Sequence, residues 1–222
     1  MINDPLFRNV SPLFQLIFLI LIMLSSFLLT FLLGYLIAIP FFGPDVLSML
    51  SDMGGAVGDN NIELMKYFQI AVIPGAEITH VPPEMIKPLA EEARKLGARV
   101  VVVHGETIVE PVAPGSNLKA LESPIDILAH PGLITEEEVL LAKKNGIMLE
   151  ITARKGHCLT NGHVAKLALK TGAGLVLNTD AHSPEDLITP DQARKIALGA
   201  GLNEEELLQL RMNAQELLER IR

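Results

Sequence analysis

Four short apolar segments of the chain end in, or are followed by, a side chain that can bind a metal ion. These side chains are Glu77, His104, His130, Asp180 and His182. Asp180 and His182 stand two positions apart on an extended segment, so they point to the same side of it. A buried strand has no structural need for such residues at its end. The pattern therefore predicts strands that bring five ligands to one site.

Helical segments alternate with apolar strands from residue 70 onward. Strands are predicted over 70–78, 99–104, 126–129, 147–151 and 175–178, and helices over 83–96, 117–122, 135–144, 161–170, 190–198 and 204–221. This alternation is typical of a parallel sheet, in which the chemistry lies at the carboxyl ends of the strands. All five ligands stand at such ends. The predicted fold class is α/β with about five parallel strands.

Three of the predicted helices carry a polar residue suited to cap their first turn. Thr135 is followed three residues later by Glu138, and Asn203 by Glu206. Both spacings are typical of a capping box, in which the two residues satisfy each other's backbone N–H groups. Asn161 is predicted to cap the helix that follows it.

The five ligands form a mixed nitrogen and oxygen set, which suits zinc, manganese or iron. A metal ion in such a set polarises a phosphoryl oxygen and lowers the pKa of a bound water to about 7. We therefore expect the five residues to be both the metal ligands and the catalytic residues of a phosphoester hydrolysis. A single histidine at a strand end is more often a hydrogen-bonded structural residue. This alternative stays open for each histidine taken alone, and for His80.

A polar loop follows the predicted strand over 147–151. Arg154, Lys155 and His157 lie in this loop and are predicted to bind the phosphate of a substrate, because cationic donors in a loop suit that anion. The alternative is a solvated loop without a ligand. Cys158 is predicted to pack rather than to act as a nucleophile, and as the single cysteine it forms no internal disulfide.

The N-terminal part of the chain differs in composition from the rest, since residues 9–44 contain no charged side chain. Because about 20 apolar residues in a helix span a bilayer, a single transmembrane helix is predicted over 13–39. The predicted domains are a membrane segment over 1–43, a linker over 44–69 and an α/β domain over 70–222. Arg8 is the one basic residue before the helix, so the positive-inside rule places the α/β domain outside the cytoplasm.

The chain is acidic, with a formal net charge of −8. Proteins that bind nucleic acid present a basic stripe or patch to the phosphate backbone. The charge therefore predicts that nucleic acid is not a partner.

Four segments resemble the later motifs of the PHP (polymerase and histidinol phosphatase) superfamily. They are IPGAEITH at 73–80, VHGE at 103–106, LAHPG at 128–132 and NTDAH at 178–182. The resemblance implies a distorted (β/α)7 barrel, a trinuclear metal site and hydrolysis of a phosphorylated small molecule in the cytoplasm. It implies that Glu77 bridges two metals, that His104 and His130 complete one of those sites, and that Asp180 and His182 belong to the other two.

The chain departs from that family before Glu77. The His-x-His strand end and the Asp-His pair with which the family opens are absent. Instead, residues 11–42 and 60–69 resemble the N-terminal region of CaaX-type (CPBP) intramembrane proteases, without the glutamates and histidines of their later helices. The junction near Ile70 indicates a fusion of two incomplete pieces, either by recombination or by a joining error in sequence assembly.

Three hypotheses follow. The first is a membrane-anchored phosphoesterase with a reduced metal site. The second is a non-catalytic remnant that binds a metal or a partner. In the third, an incomplete barrel assembles through its open sheet edge with another chain that supplies the missing strands, for example as a homo-oligomer.

Overall fold

The fold is α/β and is built on one parallel sheet. The structure, a computed structural model, describes residues 73–221, all of which belong to the compact unit Gly58–Arg222. The sheet has five strands in chain order: β1 (Gly75–Ile78), β2 (Val100–His104), β3 (Ile127–Ala129), β4 (Met148–Thr152) and β5 (Leu175–Asn178). Neighbouring strands pair in parallel throughout. The predicted fold class is confirmed to this extent.

Six α-helices connect and follow the strands in the described part of the chain. They are α1 (Pro83–Lys95), α2 (Ser116–Leu121), α3 (Glu136–Asn145), α4 (Asn161–Thr171), α5 (Pro190–Gly199) and α6 (Glu204–Ile221). Two short 3-10 turns, His157–Thr160 and Pro184–Asp186, follow β4 and β5. Each helix lies within two residues of its predicted bounds.

Two of the three predicted caps are formed. Thr135 and Glu138 make both bonds of a capping box at the start of α3. Asn203 accepts the Glu206 N–H at 3.0 Å and donates its own backbone N–H to the Glu206 carboxylate at 2.7 Å. The third prediction is wrong, because Asn161 is the first residue of α4 and its side chain bonds instead to the backbone of Thr152 in β4.

The two faces of the sheet pack differently. On β2, Val101 and Val103 point into the large apolar core beneath the helices, whereas Val100 and Val102 point to the opposite face. That opposite face carries a small cluster formed by Ile127, Val176 and Leu217 of α6. Strand side chains alternate between the two faces, so a ligand at a strand end is placed by its register. Burial of both faces explains the near-continuous apolar strands.

The predicted membrane helix over 13–39 and the linker over 44–69 lie outside the described residues. Over 73–221, no helix combines the length and the apolar character needed to cross a bilayer. The prediction of a single-pass membrane protein is corrected on this finding, and both assignments of the α/β domain to a side of the membrane are withdrawn with it. An unbroken apolar sequence alone does not establish a membrane helix.

Candidate metal centre

A cavity of about 250 Å³ opens at the carboxyl ends of the strands. The side chains that line it are Glu77, Thr79, His80, His104, Glu110, Arg154, His157, Asp180 and His182. The parallel strand order accounts for this, because residues from β1, β2, β4 and β5 reach the same edge of the sheet. Four of the five predicted ligands line the cavity directly. The fifth, His130, is buried beneath it, with its ring centroid 4.3 Å from that of His104.

Three buried imidazoles meet at the base of the cavity. His104, His130 and His157 each offer a ring nitrogen, and these three nitrogens lie within 4.8 Å of one another. The ring centroid of His157 is 4.4 Å from that of His130. This group could hold a metal ion. It contains two of the predicted ligands, together with a residue that was predicted to bind phosphate.

His130 is held by Glu150 of β4. The Glu150 carboxylate accepts both the backbone N–H and the ring Nδ1–H of His130, each at 2.9 Å. Burial lowers the pKa of His130, but the bond to Glu150 and its charge outweigh burial and raise that pKa above its ordinary value. In the neutral ring, Nδ1 carries the proton that Glu150 accepts and Nε2 carries the lone pair. Within residues 73–221, His130 Nε2 is the one buried side-chain nitrogen or oxygen without a hydrogen-bond partner.

His104 is also arranged as a neutral ligand. Its Nδ1 lies 3.0 Å from the carbonyl oxygen of Gly105 and donates to it, since a carbonyl only accepts. The remaining nitrogen, Nε2, therefore carries a lone pair. Burial lowers the pKa of His104, and the neighbouring His130 lowers it further, so the neutral form is favoured.

His157 contacts two residues of the loop after β2. Its Nδ1 lies 3.0 Å from the Thr107 hydroxyl, and its Nε2 lies 3.2 Å from the Glu110 carboxylate. Burial lowers the pKa of His157, as does the adjacent His130. The structure thus places His157 at the base of the cavity, rather than on a loop open to solvent.

The β2–α2 loop, residues 105–115, crosses the mouth of the cavity. Its base is closed by Glu106, whose carboxylate accepts the backbone N–H groups of Gly115 and Asn117. The side-chain oxygen of Asn117 accepts the Glu106 N–H, and its side-chain nitrogen donates to the Pro131 carbonyl. Gly132 packs so closely on this loop that an added Cβ would lie 1.8 Å from the Glu106 carbonyl oxygen. The loop is therefore fixed to the segment that carries His130.

Glu77 and Asp180 face the cavity from the edge strands. Glu77 keeps an exposed surface, yet the cavity walls shield its carboxylate from bulk solvent, and this raises its pKa. The charge of Asp180 raises it further. Within the described residues, the Glu77 carboxylate has no hydrogen-bond partner, so its oxygens are available to a ligand.

The remaining predicted residues form a group with its own internal partners. Arg154 lies 3.5 Å from the Asp180 carboxylate and 3.4 Å from that of Asp186, and it donates to the Asp180 carbonyl at 3.0 Å. His182 lies 2.8 Å from the same guanidinium and is largely exposed. Lys155 does not line this cavity but lines a neighbouring one.

Left-handed backbone marks three strand ends at this site. Among residues 73–221, the non-glycine residues with positive φ are His80 at 52°, His130 at 31° and Asp180 at 48°. Such conformations cost about 1–3 kcal/mol each and persist where the surroundings over-determine them. Each of the three residues follows a strand by one or two positions, so the strained backbone coincides with the ligands.

Two acidic residues at the site were not predicted. Glu150 lies inside β4, where an isolated acid within an apolar strand was a usable signal. Glu110 lies on a loop 33 residues after Glu77, and nothing in its local pattern points to the cavity.

One curated relative and two solved structures place the chain among known proteins. It is 49% identical over 162 residues to the uncharacterized protein MJ1295 of Methanocaldococcus jannaschii, and the match covers 72% of this chain and 74% of that protein. A chain in the cryo-EM structure of archaeal ribonuclease P with mature tRNA superposes with a TM-score of 0.61 at 18% identity, covering 73% of this chain and 76% of that one. An amidohydrolase crystal structure gives 0.51 at 15%, covering 74% and 46%.

No family model matches the chain. The resemblance to the PHP superfamily is contradicted by these comparisons, in which the structural neighbours include a chain of a ribonuclease P structure and an amidohydrolase. The phosphatase assignment taken from that superfamily loses its support with it. The resemblance of residues 1–69 to CaaX-type proteases likewise finds no family match. Short motifs around strand-end ligands recur among α/β folds and do not define a family on their own.

The prediction that nucleic acid is excluded is also wrong. A chain of the same fold occurs in an assembly with tRNA, so this fold is compatible with such a partner. The physical reason is that a net charge of −8 averages over the whole chain and does not describe any one surface.

Proposed function

The chain belongs to the family of the Methanocaldococcus jannaschii protein MJ1295, and we propose that it is a metal-dependent hydrolase of phosphoesters. The observation that carries the proposal is the lone pair of His130 Nε2. Nε2 is buried without a partner in the described part of the chain, and His130 belongs to a group of three histidines that each offer a ring nitrogen within 4.8 Å of the others. A buried polar atom left unpaired costs about 1–3 kcal/mol, so a bound cation would remove a real penalty.

The donor set fits zinc, manganese or iron. Three imidazoles of one site suit all three metals, and the carboxylate of Glu77 supplies an oxygen donor beside them. His130 with Glu150 forms the carboxylate–histidine pair that commonly stands behind a metal-bound imidazole. When bound, the metal would supply Lewis acidity toward a phosphoryl oxygen and a water of lowered pKa.

The chain's own residues would prepare the site for this reaction. Glu150 fixes the tautomer of His130, and the Gly105 carbonyl fixes that of His104. Glu77, whose pKa is raised by desolvation and by Asp180, is a stronger base than an ordinary carboxylate and is suited to accept a proton from water. Asp180 and His182 remain proposed catalytic residues at the opposite wall of the cavity.

The proposed substrate site lies toward Arg154 and Lys155. Arg154 lines the metal cavity, and both residues line the adjacent cavity of about 400 Å³. A phosphate in the first cavity would therefore leave the rest of its molecule room in the second. His157, which was predicted to bind phosphate, is better suited to the metal because it is buried beside His130. The ribonuclease P neighbour supports including nucleic-acid phosphodiesters among the candidate substrates.

We also propose that the sheet is an arc of a barrel. Its strands follow one another in chain order, all parallel, and its second face is covered by a small apolar cluster. That order is typical of barrels and differs from that of doubly wound sheets, in which it reverses.

The test is hydrolysis by the full chain after removal of metal with a chelator. We expect no turnover of an aryl phosphate or an RNA oligonucleotide without metal, and turnover of one of them after addition of zinc, manganese or iron(II). His130→Ala should abolish it, whereas Glu137→Gln, on the exposed face of α3, should not. Turnover that survives His130→Ala would contradict the proposal. Metal binding without any turnover would favour the alternative of a non-catalytic metal-binding protein.

A further inference from the structure

The carboxylate of Glu110 contacts three imidazoles through both of its oxygens. Oε2 lies 3.1 Å from Nε2 of His80 and 3.2 Å from Nε2 of His104. Oε1 lies 3.2 Å from Nε2 of His157. One oxygen of Glu110 thus faces two ring nitrogens, and the other oxygen faces a third.

The contact with His104 requires a cation. His104 Nδ1 donates to the Gly105 carbonyl, which leaves Nε2 with a lone pair in the neutral ring. That lone pair then meets an anionic oxygen of Glu110 at 3.2 Å, which is repulsive unless a cation lies between them. A proton on His104 Nε2 would satisfy this one contact, whereas the same Glu110 oxygen also meets Nε2 of His80 at 3.1 Å. A metal ion suits the position.

His80 completes this outer position. Its ring centroid lies 5.0 Å from that of His104, and the ligand atoms of His80, His104 and Glu110 lie within 4.8 Å of one another. Its side chain is 44% exposed, so burial does not impose its placement. Its left-handed φ of 52° is nevertheless retained, as at the other two strand ends of the site. Such strain at a residue that burial does not fix points to a function at the site.

The β2–α2 loop holds Glu110 in place. Glu106 and Asn117 close the base of the loop through three hydrogen bonds. Near its tip, Val109 lies next to Gly156, where an added Cβ would meet it at 3.6 Å. The carboxylate is therefore carried on a braced loop rather than on a free one.

We propose that Glu110 is a bridging ligand between two cations, the outer one bound by His80 and His104 and the inner one by His130 and His157. The proposal rests on the metal centre of the proposed function and adds a second ion to it. His104 has one lone pair, which belongs to the outer ion when both are bound. A bridging carboxylate suits the spacing of about 3.5–4 Å found in two-metal hydrolytic sites.

Metal content and electron paramagnetic resonance of the manganese-loaded full chain test the proposal. The wild-type chain should bind about two manganese ions with the spectrum of an exchange-coupled pair, as two-metal spacing requires. Glu110→Gln and His80→Ala should each bind about one ion and lose the coupling. Both substituted side chains are 39–44% exposed, so the variants should fold, which circular dichroism checks. Glu137→Gln removes a charge away from the site and should behave as wild type.

The outcomes separate this proposal from the proposed function. A single ion in the wild-type chain, or a coupled pair that survives both substitutions, would overturn the bridging role and leave the inner metal centre standing. A wild-type chain that binds no manganese, zinc or iron would overturn both.

Discussion

The two halves of the cavity contain similar residues but differ in burial and in how many of their polar atoms are already paired. The inner half, His104, His130 and His157, is buried and contains a ring nitrogen with no partner in the described part of the chain. The opposite wall, formed by Asp180 and His182, is partly open to solvent and is paired with Arg154. His104, His130, Asp180 and His182 were predicted as ligands from their position at strand ends, whereas His157 was predicted to bind phosphate.

The difference shows that a side chain can lie beside a metal site without being free to bind the metal. A metal ligand needs a deprotonated atom with a free lone pair aimed at the ion. His130 meets this condition because Glu150 takes its other nitrogen. Asp180 meets it less well, because one of its carboxylate oxygens is already paired with the Arg154 guanidinium. We therefore expect metal binding to depend strongly on the inner half and weakly on the opposite wall.

Glu150→Gln should give the largest effect on this comparison. Glutamine keeps the shape and one acceptor but removes the charge that orients His130 and raises its basicity. Loss of such a supporting carboxylate typically costs about 10–100-fold in metal affinity, and we expect a fall of that size. Competition titration with a chromophoric chelator measures it.

The matched control for this variant is Glu137→Gln, which makes the same chemical change on an exposed face of α3. Its metal affinity should equal that of the wild-type chain. If Glu150→Gln also equalled the wild type, the buried imidazoles would not be the binding half, and the comparison would fail.

The same contrast explains which features of the site could be predicted from the sequence. Strand bounds and strand-end ligands followed from apolar period and chain order, since parallel strands share one carboxyl edge. Glu110 could not be found this way, because its contacts with His80 and His104 depend on the path of a loop. The partners of Arg154 could not be found for a related reason. Composition shows a cation near a phosphate site, but not the carboxylates of Asp180 and Asp186 that already engage it.

Arg154→Ala should give a smaller effect, on stability and not on metal affinity. The guanidinium holds the segment between Asp180 and Asp186, so its loss should cost about 1 kcal/mol, given its partial exposure. In a domain of this size that lowers the unfolding midpoint by roughly 2–4 °C. Metal affinity should stay within about twofold, because the inner histidines share no hydrogen-bond or ion-pair partner with Arg154.

Arg154→Lys sharpens the result. Lysine keeps the charge but not the planar fork that reaches both carboxylates, so it should recover little of the lost stability. A fall in metal affinity comparable to that of Glu150→Gln would contradict the separation of the two halves.

Thr135→Ala should give the smallest effect, and it tests whether the geometry of His130 depends on chain neighbours. Thr135 caps α3 five residues after His130, and its hydroxyl accepts the Glu138 N–H at 3.3 Å. Loss of an N-cap typically costs about 0.5–2 kcal/mol, and the length of this bond favours a value near the lower end. Chemical denaturation should show this loss while metal affinity stays unchanged, because His130 is oriented across the sheet by Glu150 and not along the chain by the helix start. A loss of metal affinity in this variant would mean that the helix start, and not β4, positions the imidazole.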